Sequence, residues 1–454
     1  MVFSSLLFLF WFIPIFFAVY YVVPVKWRNV VLFAGSIIFY AWGEPKFLIL
    51  IFISIIVNYI AGVLMDKTES HKKAVLVSAL VFDFAMLFVF KYTGFFISNI
   101  NSLFGTVIPD PKLTLPLGIS FYTFQIASYV IDLYRGKIKA CQNPLTLGTY
   151  LVMFPQLIAG PIVVYEQVEE ELRSRKITLD MVEEGIGTFI LGLASKVLIA
   201  NQAGALWNDL GDIGYNRISM PLAWLGVLAF TLQIYFDFNG YSLMAIGLGK
   251  MLGFNIPINF NSPYVSRSLT EFWRRWHITL STWFRDYVYI PLGGNRKGKV
   301  RTYINLFIVW FLTGFWHGAG WNFILWGLFF FVLLTLEKLF LGDFLEKHVA
   351  VSRIYSLVLI GLSWMIFAIT DFKLLGVYFT RLFCGSFGTD VLYYLRNYGV
   401  VLLLGCVLSG TYVGKWFSRV RRRPVGVIIL LVLMIVSVAY LADASFNPFL
   451  YFRF

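Results

Sequence analysis

Long stretches without charged side chains recur along the chain and are separated by short polar loops. The first covers residues 2–25, which contain no Asp, Glu, Lys or Arg. Because one crossing of a bilayer needs about 17–25 mainly apolar residues, this stretch predicts a retained transmembrane helix rather than a cleaved signal peptide. Charge-free or nearly charge-free runs follow at residues 30–42, 47–65, 74–90 (with Asp83), 115–134 (with Asp132), 185–207 (with Lys196), 218–236, 302–336, 354–370, 398–414 and 425–441. The pattern predicts an all-α, polytopic integral membrane protein with roughly 11–12 transmembrane helices, built as a single membrane-embedded domain over residues 1–454.

Two stretches depart from the pattern of a simple crossing. Residues 150–165 contain Pro155, Gly160 and Pro161, which predict a re-entrant or broken segment whose backbone is covered by protein or water. Residues 267–301 are strongly basic, and the first half of this stretch is amphipathic, with apolar side chains at steps of three and four. This pattern predicts one helix that lies at the cytoplasmic membrane interface.

Composition and charge support the membrane assignment. The chain is 59% hydrophobic and 13% charged, with a mean hydropathy of +0.77. Since an average soluble domain carries about 25% charged residues, soluble globular, disordered and fibrous proteins are excluded. The 37 Lys and Arg outnumber the 24 Asp and Glu and fall mainly in alternate loops. The positive-inside rule then predicts that the N-terminus and residues 99–111 lie outside and residues 267–301 inside, and that the basic residues anchor loops rather than bind nucleic acid.

His317 is the most informative single residue, because it lies in the run of residues 302–336, which contains no Asp, Glu, Lys or Arg. Ionisable groups at membrane depth are costly and mark functional sites, and a neutral imidazole can take a proton from an alcohol. The alternative is a buried histidine bonded to a carbonyl group. His277, on the predicted interfacial helix, is a second candidate that would orient a donor or polarise a carbonyl, or else a residue of the aromatic belt.

Other charged residues leave alternatives open. The basic cluster within residues 267–301 either anchors the protein to anionic lipid or docks an anionic donor, such as a phosphate-bearing thioester or an acidic carrier protein. Asp83, Asp132, Lys196 and Asp237 interrupt hydrophobic runs and form either a proton relay or, the favoured interpretation, structural pairs between helices. The sequence contains no Walker A, Gly-x-Ser-x-Gly or His-Glu-x-x-His motif, so ATP-driven transport, a self-contained hydrolase and a metal site are not predicted.

Several motifs resemble those of the membrane-bound O-acyltransferases. The most specific one covers residues 272–296, FWRRWHITLSTWFRDYVYIPLGGNR. The others are FYTFQ at 121–125, FPQLIAGPI at 154–162, WHG at 316–318 and NPFLYF at 447–452. The similarity covers nearly the whole chain. More narrowly, the chain resembles the bacterial branch that contains the membrane subunits for O-acetylation of alginate and peptidoglycan and the protein for D-alanyl transfer to teichoic acid.

The resemblance implies a bundle of membrane helices around a tunnel, with no bound cofactor. It assigns His317 to the family's catalytic histidine, the general base on the acceptor hydroxyl, and His277 to its second catalytic position. The acceptor hydroxyl belongs either to a glycan or to a serine or tyrosine of an exported partner. The candidate donor-binding residues are Arg274, Arg275, Arg296 and Lys297.

The expected reaction moves an acyl group, acetyl in this branch, from a cytoplasmic thioester to a hydroxyl group outside, for O-acetylation of an exported or cell-surface polysaccharide such as alginate. The expected donor is acetyl-coenzyme A or the thioester of an acyl carrier protein. The expected partner is an exported or surface-anchored esterase-like acetyltransferase, and the expected location is the bacterial inner membrane. The alternatives are a transporter or flippase of an anionic substrate without acyl chemistry, D-alanyl transfer to teichoic acid, and a purely structural scaffold.

Overall fold

The computed structural model describes residues 1–443, which form helices and connecting loops without a β-strand among them. Eight helices in this part of the chain are long and apolar enough to cross a membrane. They are Pro45–Lys67, Lys72–Phe104, Leu179–Ile213, Met220–Leu252, Trp321–Lys347, Val349–Ala368, Asp390–Leu408 and Pro424–Asp443. A shorter apolar helix covers Phe8–Val22. The prediction of an all-α, multi-pass membrane protein is confirmed, while the motif at residues 447–452 lies outside the described residues.

The number of long helices is smaller than the number of apolar runs, because some runs form shorter helices. Residues 30–42 and 115–134 give Arg28–Ala41 and Ile119–Tyr134, of 14 and 16 residues. Both are shorter than the roughly 20 residues of a typical transmembrane helix.

Two compact units make up the chain. The first contains Met1–Phe189 and Met244–Pro257. Its helices are α1 (Ile13–Val22), α2 (Arg28–Ala41), α3 (Leu48–Lys67), α4 (Lys72–Phe104), α5 (Ile119–Tyr134), α6 (Pro144–Val152), α7 (Phe154–Leu157) and α8 (Glu169–Arg173). Helices α9 (Leu179–Ala194) and α11 (Met220–Leu252) contribute residues to both units, and α10 (Asn201–Ile213) belongs to the second.

The second unit contains Ile190–Leu243 and Ile258–Phe454. Its remaining described helices are α12 (Leu269–Arg275), α13 (Ile278–Phe284), α14 (Lys299–His317), α15 (Trp321–Leu336), α16 (Gly342–Lys347), α17 (Val349–Ala368), α18 (Phe372–Cys384), α19 (Asp390–Leu408), α20 (Tyr412–Val420) and α21 (Pro424–Asp443). Short π-helical turns cover Phe8–Phe12, Ser195–Ala200, Arg285–Tyr289 and Glu337–Leu341. That all of these elements form one domain stays a prediction.

The broken segment predicted at residues 150–165 is confirmed in the first unit. Met153 leaves the helical conformation, with φ −48° and ψ 112°, between α6 and α7. The buried hydroxyl of Tyr150 donates to the carbonyl oxygens of Gln125 and Val163, at 3.1 and 2.9 Å. Protein groups therefore cover this irregular backbone, as a low-dielectric environment requires.

Helices α14 and α15 are the two halves of the apolar run at residues 302–336, and they pack closely in the second unit. A Cβ atom on Gly314 would collide with the carbonyl oxygen of Phe323, and one on Gly327 with that of Trp310. Only glycine permits this approach of two helix backbones. The crossing fixes the C-terminal end of α14, where His317 lies.

Candidate functional site

His277 lies between two short helices, so the prediction of one continuous interfacial helix is wrong at this point. Helix α12 ends at Arg275, and His277 adopts the left-handed conformation with φ 43° and ψ 53° before α13 begins. That conformation costs a residue other than glycine roughly 1–2 kcal/mol. Two backbone bonds of 2.9 Å hold the break, from Ile278 N–H to the Asn259 carbonyl and from Asn261 N–H to the Arg275 carbonyl.

The break turns the His277 side chain into the protein, where it is only 1% exposed. It does not lie at the border between an apolar and a basic helix face, as a continuous helix would have placed it. The imidazole packs edge-on against Phe238, with ring centroids 4.7 Å apart at 88°. His277 is therefore an interior residue of the second unit rather than a residue of an aromatic belt.

Asn259 fixes the tautomer of His277. The Asn259 side-chain oxygen accepts from the Thr279 backbone N–H at 3.2 Å and from the Thr279 hydroxyl at 3.0 Å. Because a backbone N–H only donates, the atom facing it must be the amide oxygen. The Nδ1 atom of His277, 3.2 Å from the same oxygen, then carries the proton and donates. Burial lowers the pKa of His277 to about 3, so the ring is neutral at physiological pH and Nε2 is its acceptor atom.

His317 ends helix α14 in an aromatic pocket of the second unit. Its half-buried ring contacts Trp326 and Phe367, with centroids 4.9 and 5.2 Å apart and both pairs at 84°. The neighbouring Trp316 lies 5.0 Å away. Gly318, which follows, packs against the Phe323 ring so closely that a Cβ atom would collide with it. The aromatic walls restrict the orientation of the imidazole.

Trp316 joins the two predicted catalytic positions. Its indole lies 5.0 Å from the His317 ring and 6.2 Å from the His277 ring. Both histidines therefore belong to one aromatic cluster of the second unit, although 39 residues separate them in the sequence. The structure thus brings the two predicted positions together.

Asn322 is a positioning residue that sequence analysis missed. It is 1% exposed, and its amide nitrogen donates to the carbonyl oxygens of Ile366 and Phe367, at 3.4 and 3.1 Å. These carbonyls belong to the last turn of α17, where backbone acceptors lack partners within the helix. Asn322 thereby holds the backbone of Phe367, whose ring forms one wall beside His317. Its only sequence signal is an isolated amide within an apolar run.

A buried ion pair supports the helix beside His277. The Lys196 ammonium group lies 2.5 Å from the Asp237 carboxylate, and both side chains are at most 4% exposed. Gly240, one turn further along α11, approaches the Gly192 carbonyl so closely that a Cβ atom would lie 2.8 Å from it. The pair joins two helices, as the favoured interpretation predicted. Asp237 is followed directly by Phe238, whose ring packs against the His277 imidazole.

The four predicted donor-binding residues differ in their surroundings. Arg275 is half-buried, pairs with Glu271 at 2.9 Å and donates to the Asn261 carbonyl at 3.1 Å. Arg274 is exposed, as are Arg296 and Lys297. Among the described residues, no hydrogen bond or ion pair joins these three to one another. The structure therefore assigns Arg275 a structural contact and leaves three cations on the surface.

A cleft of about 640 Å³ opens beside the wall of the histidine pocket, in the second unit. It reaches Ala368, the neighbour in sequence of Phe367. Its other lining residues are Ala205, Trp207, Asn208, Asp209, Gly211, Asp212 and Tyr215. The hydroxyl of Tyr398 donates to the Asp209 carboxylate at 3.0 Å. Aromatic rings combined with amide and carboxylate groups suit the binding of a polyhydroxylated ligand.

The family model of the membrane-bound O-acyltransferases matches residues 37–380. This is more than half of the chain and includes both histidines. The chain belongs to the membrane-bound O-acyltransferase family. The protein is therefore a multi-pass membrane enzyme that transfers acyl groups to hydroxyl groups, and a transporter without acyl chemistry is not supported.

Relatives in bacteria extend the match beyond the family model. "Probable alginate O-acetylase AlgI" of Azotobacter vinelandii is 36% identical over an alignment that covers 100% of both chains. "Peptidoglycan O-acetyltransferase" of Helicobacter pylori is 34% identical over 81% of this chain and 77% of its own. "Teichoic acid D-alanyltransferase" of Streptococcus thermophilus is 32% identical over 50% of this chain and 57% of its own. This O-acyltransferase is thus similar to the two O-acetylating proteins over far more of its length.

Proposed function

We propose that the protein transfers an acetyl group from a cytoplasmic thioester to a hydroxyl group on the opposite side of the bacterial inner membrane, for O-acetylation of an exported or cell-surface polysaccharide. The extensive similarity to an alginate and a peptidoglycan O-acetylating protein supports this choice over D-alanyl transfer. The observation that carries the proposal is the contact of both His277 and His317 with the Trp316 indole in a chain of this family.

The general base in the proposed reaction is His317. Its imidazole takes the proton of the acceptor hydroxyl while the hydroxyl oxygen attacks the thioester carbonyl carbon. The carbon–sulfur bond then breaks, the sulfur takes the proton back from the imidazolium and departs as a thiol, and an ester remains on the acceptor. General-base catalysis contributes about 10²–10⁴-fold to such a step, and the contacts with Trp326 and Phe367 hold the ring for it.

A positioning role for His277 follows from its tautomer. Because Nδ1 donates to Asn259, the neutral ring presents an acceptor at Nε2 and cannot polarise a carbonyl through that atom. The buried Nε2 atom could accept a hydrogen bond from an amide N–H group of the donor's pantetheine arm. Coenzyme A and acyl carrier proteins both present that arm, so the geometry fits either expected donor.

On the donor side, the exposed cations Arg274, Arg296 and Lys297 are proposed to attract the phosphate groups of the donor. Arginine and lysine at a surface interact with phosphate through charge-assisted hydrogen bonds. Arg275 is left out of this role because Glu271 and the Asn261 carbonyl already occupy its guanidinium group.

On the acceptor side, the cleft beside Ala368 is proposed to receive the acceptor. Asp209 and Asn208 offer hydrogen-bonding groups to sugar hydroxyls, and the Trp207 ring offers an apolar face. The acceptor is either the polysaccharide itself or a serine or tyrosine of an exported, esterase-like acetyltransferase partner. The polar lining of the cleft is compatible with both.

Labelled donor in membrane vesicles tests the proposal. Vesicles that expose the cytoplasmic face receive acetyl-coenzyme A or acetylated carrier protein with a labelled acetyl group, and alkali-labile label in the polysaccharide is measured. Wild-type vesicles are expected to form labelled ester, and His317→Ala vesicles are expected to form almost none. Label that crosses the membrane without forming an ester would support transport instead. A parallel sample receives a labelled D-alanyl thioester, and ester formed in that sample alone would support the teichoic acid reaction.

A further inference from the structure

Two arginines of the first unit lie around one tyrosine ring. The guanidinium carbon of Arg28 lies 5.6 Å from the centroid of the Tyr20 ring, and that of Arg175 lies 5.7 Å from it. Arg175 also lies over Phe254, at 4.6 Å. Tyr20 is completely buried, and its hydroxyl donates to the Leu252 carbonyl at 2.8 Å. Two cations are therefore held against a rigid aromatic support.

The Arg175 guanidinium is buried among neutral acceptors. The residue is only 5% exposed. Its Nε donates to the Tyr20 hydroxyl at 2.7 Å, and its Nη1 donates to the Asn29 side chain and the Glu171 carbonyl, at 2.8 and 3.0 Å. Its Nη2 has no hydrogen-bond partner within residues 1–443. A buried guanidinium donor without a partner is costly, since it loses its hydration.

No carboxylate in the described part of the chain neutralises the two cations by an ion pair. The acidic group whose charge acts on Arg175 is Glu171, and the Oε1 atom of this residue accepts from Asn255 at 3.3 Å. Burial lowers the pKa of the Arg175 guanidinium, and the charge of Arg28 lowers this pKa further, against the opposing effects of Tyr20 and Glu171. Arg28 itself has a buried Nε that finds no hydrogen-bond partner among the described residues. An anion would relieve both the repulsion and the missing bonds.

The surroundings of Arg28 are those of a membrane surface. Val22, Val25 and Trp27 are 85%, 54% and 52% exposed, and Lys26 is exposed as well. Tryptophan beside lysine and arginine is typical of the boundary between headgroups and acyl chains. The apolar end of α1 next to two guanidinium groups therefore offers contacts for both parts of an anionic phospholipid.

We propose that Arg28 and Arg175 form a binding site for one phosphate group, supplied by an anionic phospholipid headgroup or by a soluble phosphate. Guanidinium groups bind phosphate oxygens through paired, charge-assisted hydrogen bonds. The exposed apolar residues beside Arg28 favour the lipid source. The site belongs to the first unit and shares no residue with those assigned to acyl transfer, and its test does not depend on that activity.

Lipid retention by the purified full-length protein tests this site. The protein is prepared in phosphatidylcholine nanodiscs that contain increasing phosphatidylglycerol, and bound phosphatidylglycerol is counted by native mass spectrometry. In a second arm, inorganic phosphate replaces phosphatidylglycerol, and the midpoint of thermal unfolding is measured. The variants are Arg28→Gln and Arg28→Lys, with Lys26→Gln as the matched control for a neighbouring surface charge. The Arg28 side chain makes no hydrogen bond or ion pair with other groups of residues 1–443, so its variants are expected to retain wild-type helicity.

Loss of one charge-assisted contact is expected to weaken phosphate binding by Arg28→Gln about tenfold. Arg28→Lys is expected to fall between that variant and wild type, and Lys26→Gln is expected to match wild type. This result with phosphatidylglycerol identifies a lipid site, and the same order with inorganic phosphate alone identifies a soluble phosphate. Equal losses in Arg28→Gln and Lys26→Gln would overturn the proposal in favour of diffuse surface attraction. Equal phosphate binding by wild type and Arg28→Gln would also overturn the proposal, and Arg175 would then have only a structural role.

Discussion

The His277 imidazole and the Trp316 indole lie 6.2 Å apart at an angle of 71° between their planes. Trp316 is the residue before His317, so this edge-on contact connects the break between α12 and α13 to the end of α14. Aromatic pairs in this geometry are stabilised by about 0.5–1.5 kcal/mol beyond their buried area. The contact therefore relates the position of the His277 ring to that of His317 through one shared aromatic neighbour.

Replacing His317 by alanine is expected to remove acyl transfer and leave the protein folded. The loss should be about 10²–10⁴-fold in turnover, the contribution of a general base, and it should persist at saturating donor because a transition-state interaction is removed. Ester formation in reconstituted vesicles measures it. A variant with normal detergent stability and near-normal turnover would contradict the general-base assignment.

His277 is expected to make the stability of the second unit depend on pH. Its pKa falls from an ordinary value near 6.5 to about 3 on folding, so between these values the unfolded chain binds more protons than the folded one. Stability from this residue is therefore complete above about pH 6.5 and decreases as pH falls toward 3, by up to about 1.4 kcal/mol per pH unit.

The variant His277→Asn lacks this titration, and its stability should change less between pH 7 and pH 4. Unfolding midpoints of wild type and variant over this range are the measurement, with His71→Asn as the control for an exposed histidine in a loop. Parallel pH profiles for wild type and His277→Asn would contradict the buried neutral assignment.

The membrane helices could be predicted from the sequence because apolar runs of sufficient length have few alternatives in a bilayer. The turn that divides residues 302–336 was predictable for the same reason, since the run is too long for one crossing and contains Gly318 and Gly320. Pro155, Gly160 and Pro161 similarly identified the broken segment. In each case the signal is local to the segment that it describes.

The backbone break at His277 and the position of the Phe367 ring beside His317 could not be predicted, because both depend on contacts between residues that are distant in the sequence. The periodic apolar pattern continues through His277, but Asn259, 18 residues earlier, binds its ring and supports the left-handed turn. The Asn322 side chain donates a hydrogen bond to the carbonyl oxygen of Phe367, which lies 45 residues later in the sequence. Such pairings leave no periodicity in the sequence, so a single chain offers only the isolated amide side chains as a hint.

Asp209→Asn is expected to weaken use of the acceptor while leaving donor use unchanged. Loss of a charged hydrogen-bond acceptor in the cleft should raise the acceptor KM by roughly tenfold, as expected for one such bond. Kinetics with varied acceptor and saturating donor measure the effect, and Asp343→Asn is the control for an exposed aspartate elsewhere in the second unit. An unchanged acceptor KM would remove the cleft from the proposed path.

Arg274 and Arg275 are neighbours in the chain, but their substitution is expected to have different effects. Arg275→Gln removes a partly exposed ion pair with Glu271 and the bond to the Asn261 carbonyl. Since Asn261 belongs to the backbone that holds the His277 break, this variant should lose roughly 1–2 kcal/mol of stability. Its donor KM at low temperature should stay close to that of wild type.

Arg274→Gln should behave in the opposite way, because Arg274 is exposed and its side chain makes no hydrogen bond or ion pair with other groups of residues 1–443. If it attracts donor phosphate, its loss should raise the donor KM several-fold with no change in unfolding midpoint. The difference from wild type should be larger at low salt, where screening is weak. Lys299→Gln, at the start of α14, is the control for a nearby exposed charge. Equal donor KM values for Arg274→Gln and wild type at both salt concentrations would instead make the basic cluster an anchor for anionic lipid, because such an anchor has no selective effect on the donor.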